Sequence, residues 1–331
     1  MSEKTRIGFV GCGNNGRGHL NQLRQIENAD VVAVCDTQET LAAQAAEGTN
    51  AKAFTNFHQM LEDTELDAVY LSVPPFVHGE MEFALIDHGI PFYVEKPVTL
   101  DLKIGRQIAE AVRAKNLLTC VGYQLRYFAS VNAAREVLAN STVGLASGYY
   151  WCGTGRAMLG NWWSERDKSG GQLVEQATHT LDMMRYLVGE IDEVFCYEAQ
   201  RQFTPDQTSC PDITAMTVRF ANGAIGTMSC VSSLSQKDGF ANVLDITFDE
   251  KYLRWSPALV VVKHEGNEKE APGESKFPSA DHAFIEAVRL KDQSLILSDY
   301  DEGLRTVAVT LAAAESARRN APVRAAEMLE G

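Results

Sequence analysis

Three glycines, Gly11, Gly13 and Gly16, directly follow a short apolar run from Arg6 to Val10, and Asp36 closes the next apolar run 20 residues beyond Gly16. Glycine permits a sharp turn after a strand and lets the backbone approach a pyrophosphate, whose charge then sits at the N-terminus of the following helix. An acid at that distance accepts hydrogen bonds from ribose hydroxyls. The spacing predicts a doubly wound α/β beginning in which Gly11, Cys12, Gly13, Asn14, Asn15, Gly16 and Asp36 surround a dinucleotide. A 2′-phosphate would meet Asp36 as a like charge, and Thr37, Gln38 and Glu39 supply no base to hold it. NAD is therefore expected rather than NADP.

The rest of the first half keeps the same rhythm. Apolar runs at 31–35, 51–54, 68–73, 91–95 and 117–122 alternate with helical patterns such as 77–87 and 101–114, the mark of βαβ units in a parallel sheet. At 331 residues the chain is about twice a common domain length of ~150. Two domains are expected, a dinucleotide-binding one over 1–123 and a second over 124–331. From 191 to 262 longer strands follow one another, and Asn222-Gly223 marks a hairpin, so the second domain should contain an antiparallel sheet. Along 214–220, Thr214, Met216, Val218 and Phe220 form one face and Ala215, Thr217 and Arg219 a milder one. The first should meet helices and the second another subunit. A helix over 300–319 is expected near the end.

Composition excludes several partners. Thirty Lys and Arg against 44 Asp and Glu give a net charge of −14, the wrong sign for a surface that neutralises nucleic-acid phosphates. Seven scattered cysteines include no pair at zinc spacing, so neither a disulfide framework nor a metal is expected. The opening residues run at once into a strand and glycines, without a secretory leader's apolar stretch. A cytoplasmic protein that engages no membrane is the expectation.

Two further constellations carry chemistry. In Glu95-Lys96-Pro97 the proline disfavours helical geometry at Lys96, leaving the lysine extended at the carboxyl end of a parallel strand, the edge where such sheets bind ligands. A solvated lysine at a strand end is the plainer alternative. In the stretch 169–182, a glycine-led loop opens a helix in which Leu173, Ala177, Leu181, Met184 and Val188 form an apolar stripe opposite Glu175, His179, Asp182 and Tyr186. That polar stripe reads as a site sharing a carboxylate and an imidazole, as an ordinary surface face, or as a metal pair of Glu175 and His179.

Over essentially its whole length the chain resembles the Gfo/Idh/MocA oxidoreductases, the family that includes inositol and sugar dehydrogenases. The resemblance rests on Val10-Gly11-Cys12-Gly13 with Gly16, on Ser72-Val73-Pro74-Pro75 through His78, and on Glu95-Lys96-Pro97. Gly122 with Arg126, the glycine-led helix with His179 and Asp182, and Ser298-Asp299-Tyr300 complete it. It implies an N-terminal Rossmann domain and a C-terminal α+β domain with a large open, mainly antiparallel sheet, commonly a dimer or tetramer interface. It also implies that Ser72, Val73, Pro74, His78, Glu95 and Lys96 adjoin the cofactor. By the same resemblance Lys96 is the catalytic lysine, His179 the acid/base histidine, and Glu175 stands where many members carry Asp. Ser169 replaces the first of three glycines and Ala177 a glycine in the helix.

The implied chemistry is oxidation of a secondary alcohol. A histidine titrates near neutral pH and suits the base that takes the hydroxyl proton; Lys96 would stabilise the developing alkoxide and Glu175 would orient the imidazole. Tyr123, Gln124, Arg126, Trp162 and Trp163, with Lys96, Glu175 and His179, are the expected substrate contacts, and Tyr149, Tyr150 and Trp151 add aromatic faces suited to a sugar or cyclitol ring. Arg156 and Arg166 are further candidates for holding hydroxyls or a carboxylate. A small-molecule sugar or polyol is the expected partner. An NAD-using glycosidase and a non-catalytic dinucleotide-binding regulator are the alternatives.

Overall fold

The computed structural model describes residues 4–235, 237 and 240–330, which divide into two compact units. The first comprises Met1–Thr99, Ile104–Gln124 and Phe277–Gly303; the second comprises Leu100–Lys103, Leu125–Lys276 and Leu304–Gly331.

In chain order the first half contains β1 (Thr5–Val10), α1 (Asn14–Leu23), β2 (Ala29–Cys35), α2 (Glu39–Ala46), β3 (Lys52–Phe54), α3 (Phe57–Asp63) and β4 (Ala68–Leu71). It continues with α4 (Glu80–His88), β5 (Phe92–Val94), α5 (Leu102–Lys115) and β6 (Thr119–Val121). The six strands form one sheet in the order β3-β2-β1-β4-β5-β6, every neighbouring pair parallel. The order reverses beside β1, and ligands of open α/β sheets bind at that switch point. β4 stops two residues short of the expected Val73, because its neighbours β1 and β5 both end opposite Leu71, at Val10 and Val94.

Register aligns Phe9, Tyr70, Tyr93 and Cys120 across four strands. The rings of Phe9 and Tyr70 stack at 5.6 Å and those of Tyr70 and Tyr93 at 4.8 Å. Their cover comes from far along the chain. Phe284, on α11 (Ala280–Leu290), sets its ring edgewise on Tyr70 at 5.3 Å and on Tyr93 at 5.8 Å. Residues 277–303, expected with the second domain, therefore belong to the first unit. Their helix buries the aromatic face that the first 124 residues leave bare.

The second unit carries α6 (Ala129–Leu138), β7 (Val143–Trp151), α7 (Thr154–Ala157), α8 (Arg166–Ser169), α9 (Gln172–Glu175), α10 (Thr178–Val188) and β8 (Ile191–Ala199). Next come β9 (Ile213–Phe220), β10 (Ile225–Val231), β11 (Ala241–Phe248), β12 (Lys251–Trp255), β13 (Val260–His264) and β14 (Asn267–Ala271). After α11, α12 (Tyr300–Arg319) occupies the expected span, and β15 (Val323–Arg324) and α13 (Ala325–Glu330) follow. Nine strands form a sheet ordered β14-β13-β12-β11-β7-β10-β9-β8-β15, antiparallel except where β7 meets β10.

The expected Asn-Gly hairpin joins β9 to β10. Gly223 takes a φ of +92°, and the Asn222 side chain donates to the Val188 carbonyl while accepting from the Ala224 N–H. Thr214, Met216, Val218 and Phe220 are buried while Ala215, Thr217 and Arg219 are exposed, as the alternation predicts. The exposed side of the sheet carries Leu145, Trp151, Tyr197 and Ile225, the last two 62% and 57% accessible.

Candidate functional site

In the first unit the glycine turn is shaped by close approaches. Gly11 has a φ of +91°, and a Cβ there would lie 2.1 Å from the Ser72 carbonyl oxygen; one on Gly16 would lie 1.9 Å from the Gly11 carbonyl oxygen. Both positions are therefore closed to any larger residue. Gly13 differs, since a Cβ on it would meet nothing within 4 Å. It is the N-cap of α1, with no side chain capping the helix, so the first turn's N–H groups face open space suited to an anion.

The Asp36 carboxylate accepts the Cys12 N–H at 2.8 Å and the Gln38 N–H at 2.9 Å, which ties the end of β2 to the turn. Asn15 reaches Ser72 through Nδ2 at 3.4 Å, and Val73 packs beside Gly11. Gly11, Cys12, Gly13, Asn14, Asn15, Gly16, Asp36, Ser72 and Val73 thus gather at the carboxyl ends of β1, β2 and β4. These residues fit a dinucleotide. The glycine backbone and α1 N-terminus would hold its pyrophosphate and Asp36 its ribose.

Pro74 begins a short 3₁₀ turn, Pro75–Val77, leading to His78. His78 was expected at the cofactor. Its ring is buried, with Nδ1 2.6 Å from Glu82 Oε1, and the other Glu82 oxygen accepts the Gly79 N–H. The imidazole therefore secures the start of α4.

Glu95 is likewise turned inward. Its Oε1 lies 3.0 Å from His19 Nε2 on α1, and His19 Nδ1 lies 2.7 Å from Asp281 Oδ1 on α11. A Cβ on Gly122 would fall 2.4 Å from that Glu95 oxygen, so glycine there leaves room for the carboxylate. Lys96 follows, half-buried, just past the end of β5 and joined to Pro97 by a cis peptide. Motif spacing does not disclose His19 or Asp281, because the three partners are separated by 76 and 262 residues.

In the second unit the expected continuous helix is two helices, α9 and α10, broken at Gln176 and Ala177. Gly170 and Gly171 take φ values of +73° and +82° and open α9. Ser169 is useful in this turn, since its hydroxyl donates to the Trp163 carbonyl and accepts the Gly171 N–H. Ala177 is fully buried.

Glu175 is buried rather than part of a solvated face. One of its oxygens accepts the Trp163 indole N–H at 3.3 Å and the Gln176 side-chain amide N–H at 2.5 Å, and Gln176 Oε1 accepts the Tyr150 hydroxyl at 3.1 Å. Burial, and then the nearby Cys152 and Glu175, push the Tyr150 phenol above its usual range. His179 is half-buried in the first turn of α10. Among the described residues, no group of three or more His, Cys, Asp or Glu could hold a metal.

The expected substrate contacts separate by environment. Gln124 is exposed and Trp162 half-buried. Tyr123, Arg126 and Trp163 lie in the interior. The Arg126 guanidinium is bidentate on Asp182, and Trp163 donates to Glu175, so each holds another side chain in place. Tyr149, Tyr150 and Trp151 lie on β7, a strand missed because its run, Val143-Gly144-Leu145-Ala146-Ser147-Gly148, is weakly apolar. Alternation turns Tyr150 inward, while Tyr149 and Trp151 share the opposite face with rings 5.1 Å apart. Arg166 pairs with Glu198 at 2.8 Å, and Arg156 donates to the Ser233 carbonyl.

Comparison with known proteins agrees with this geometry. Residues 5–123 match the model of an oxidoreductase family with an NAD-binding Rossmann fold, and residues 131–253 match the C-terminal domain of the same Gfo/Idh/MocA family. Myo-inositol 2-dehydrogenase of Thermotoga maritima is 26% identical over 67% of this chain and 66% of its own length. The WlbA dehydrogenase of Bordetella pertussis, solved with NADH and UDP-GlcNAcA, superposes with a TM-score of 0.82 at 22% identity, covering 97% of this chain and 99% of its own. A levoglucosan dehydrogenase with NADH and levoglucosan gives 0.86 at 20%, covering 97% and 99%. At such identities the two solved structures show a shared fold.

Proposed function

Because the chain belongs to the Gfo/Idh/MocA oxidoreductase family, with an NAD-binding Rossmann domain, we propose that it oxidises a secondary hydroxyl of a sugar, sugar derivative or cyclic polyol. The observation that carries the reading is a dinucleotide cradle in the same unit as a lysine at the carboxyl end of β5. The inositol- and levoglucosan-directed activities named for relatives support the substrate class.

Bound NAD would supply the hydride acceptor. This chain's residues would do the rest. His179 takes the hydroxyl proton on its imidazole, and the Lys96 ammonium stabilises the negative charge that develops on the substrate oxygen. Glu175, fixed by Trp163 and Gln176, supplies a carboxylate held in one orientation. Asp36 excludes a 2′-phosphate by charge and so favours NAD over NADP. The exposed side of the nine-stranded sheet supports a homodimer or homotetramer. No helix among the described residues is long and apolar enough to cross a membrane.

The test is a spectrophotometric screen of NAD and NADP reduction across inositols, other polyols and aldoses. NADH formation with at least one of them, faster than with NADP, is the expected result. No reduction of either cofactor by any of these alcohols would sink the proposal, and aglycone release from a glycoside without net NADH would replace it with glycosidase chemistry.

A further inference from the structure

The three ionisable side chains His19, Glu95 and Asp281 meet inside the first unit, at most 7% accessible, next to the rings of Tyr70, Tyr93 and Phe284. His19 holds one carboxylate on each ring nitrogen, at 3.0 and 2.7 Å. Burial alone would lower its pKa, yet the hydrogen bonds to Asp281 and Glu95 outweigh burial and raise it to about 10. The ring is thus an imidazolium at neutral pH, donating to both carboxylates. The neighbouring Tyr93 phenol is pushed well above its usual range by burial and by Glu95 and Asp281, so it stays neutral.

Such an arrangement is a costly way to fill a core. Taking several charges out of water costs several kcal/mol each, and apolar residues of similar volume commonly serve stability as well. What it yields is a carboxylate with little freedom, boxed between His19 and the backbone at Gly122. That carboxylate belongs to the residue whose next peptide bond leads to Lys96.

We propose that His19 is a positioning residue: anchored by Asp281, it clamps Glu95 and thereby fixes the backbone from which the Lys96 ammonium is presented. The inference rests on Lys96 being the group that acts on substrate oxygen. His19 touches no reacting atom in this scheme, and it acts through Glu95.

The experiment uses the full chain with NADH bound and its lysines reductively methylated with ¹³C, the Lys96 resonance being assigned by its loss in Lys96→Arg. Asp281→Asn keeps shape and removes one charge, and His19→Gln removes the ring's charge. In both, the Lys96 resonance should move. NADH affinity should stay within about twofold, and kcat should fall by roughly 10- to 100-fold with KM little changed. A Lys96 resonance identical to the parent's in either folded variant overturns the proposal. Should both variants fail to fold, Asp281→Glu keeps the charge and changes only its reach, and an unmoved Lys96 there overturns it equally. Resonance and NADH binding need no substrate, so they decide the clamp even if no alcohol is oxidised. A shifted Lys96 with unchanged kcat would support the clamp while telling against Lys96 as the oxygen-binding group.

Discussion

Arg126 presents Nε and Nη2 to the two carboxylate oxygens of Asp182, at 2.9 and 2.7 Å, with both side chains almost completely buried. Thr306 on α12 donates to the same carboxylate at 3.0 Å and accepts from Arg185 at 2.6 Å, and the Tyr186 ring lies 4.6 Å from the Arg126 guanidinium. The pair therefore fastens α10, the helix that carries His179, to the turn at 124–127, and Thr306 ties the same helix to α12. Removing one partner strands a buried charge, so Asp182→Asn and Arg126→Met should each cost about 3–5 kcal/mol, and the double variant less than their sum. Urea unfolding of the four proteins measures this; additive losses would show the ion pair to be uncoupled.

Turnover should depend on Lys96 and on His179. Lys96→Met and His179→Ala should each lower kcat by roughly 10²-fold or more while NADH binding, followed by fluorescence, stays near the parent's. Glu175→Gln keeps the bonds from Trp163 and Gln176 within reach but removes the charge, and it should cost activity less than either. Parent-like turnover in Lys96→Met or His179→Ala would remove that residue from the mechanism.

At the cofactor turn, stability and binding should separate. Gly13→Ala meets no neighbour, so unfolding should be unchanged, yet the added methyl enters the space left for pyrophosphate, and NADH affinity should fall by about tenfold, or 1.4 kcal/mol. Gly11→Ala should instead destabilise the fold, because of its φ of +91° and the carbonyl 2.1 Å away. Calorimetry with NADH titration distinguishes the two; an unaltered affinity in Gly13→Ala would place the pyrophosphate elsewhere.

His19 also sets an alkaline limit. Its pKa rises on folding from an ordinary 6.5 to about 10, so its contribution is fully present below pH 6.5 and is lost as pH climbs through about 10. Across that window stability should fall by up to about 1.4 kcal/mol per pH unit. The slope should flatten in His19→Gln. Unfolding free energies that stay level from pH 7 to 10 in the parent would contradict a charged ring.

Much of this was legible in local spacing. Gly11, Gly13, Gly16 and Asp36 act through backbone geometry within one βαβ unit, and the Asn222-Gly223 hairpin is equally local, so both read directly from the chain. The clamp on Glu95 was not legible, because His19 and Asp281 meet it only through tertiary packing of α1 and α11. The interior places of Asp182 and Glu175 were not legible for a similar reason, since the polar stripe left a shared site, a surface face and a metal pair all open. Periodicity assumes one uninterrupted helix, whereas the break at Gln176 and Ala177 changes the phase, and Arg126 offers Asp182 an interior partner.

The open sheet face supplies a last test. Leu145, Trp151, Tyr197 and Ile225 leave apolar surface on one side of a nine-stranded sheet, and such patches mark interfaces. The parent should scatter light as a dimer or tetramer at micromolar concentration, and Tyr197→Glu with Ile225→Glu should lower the mass. A monomeric parent would refute the assembly.

The return of residues 277–303 to the first unit makes the nucleotide-binding half non-portable. A fragment cut at residue 124 would retain every motif residue of the dinucleotide turn and would look complete on paper. It would nonetheless expose the Tyr70 and Tyr93 rings to water and leave His19 facing Glu95 alone. Recombining such halves between relatives would have to carry the distant helix along with the glycines, so inheritance of this unit is a matter of two separated stretches of chain.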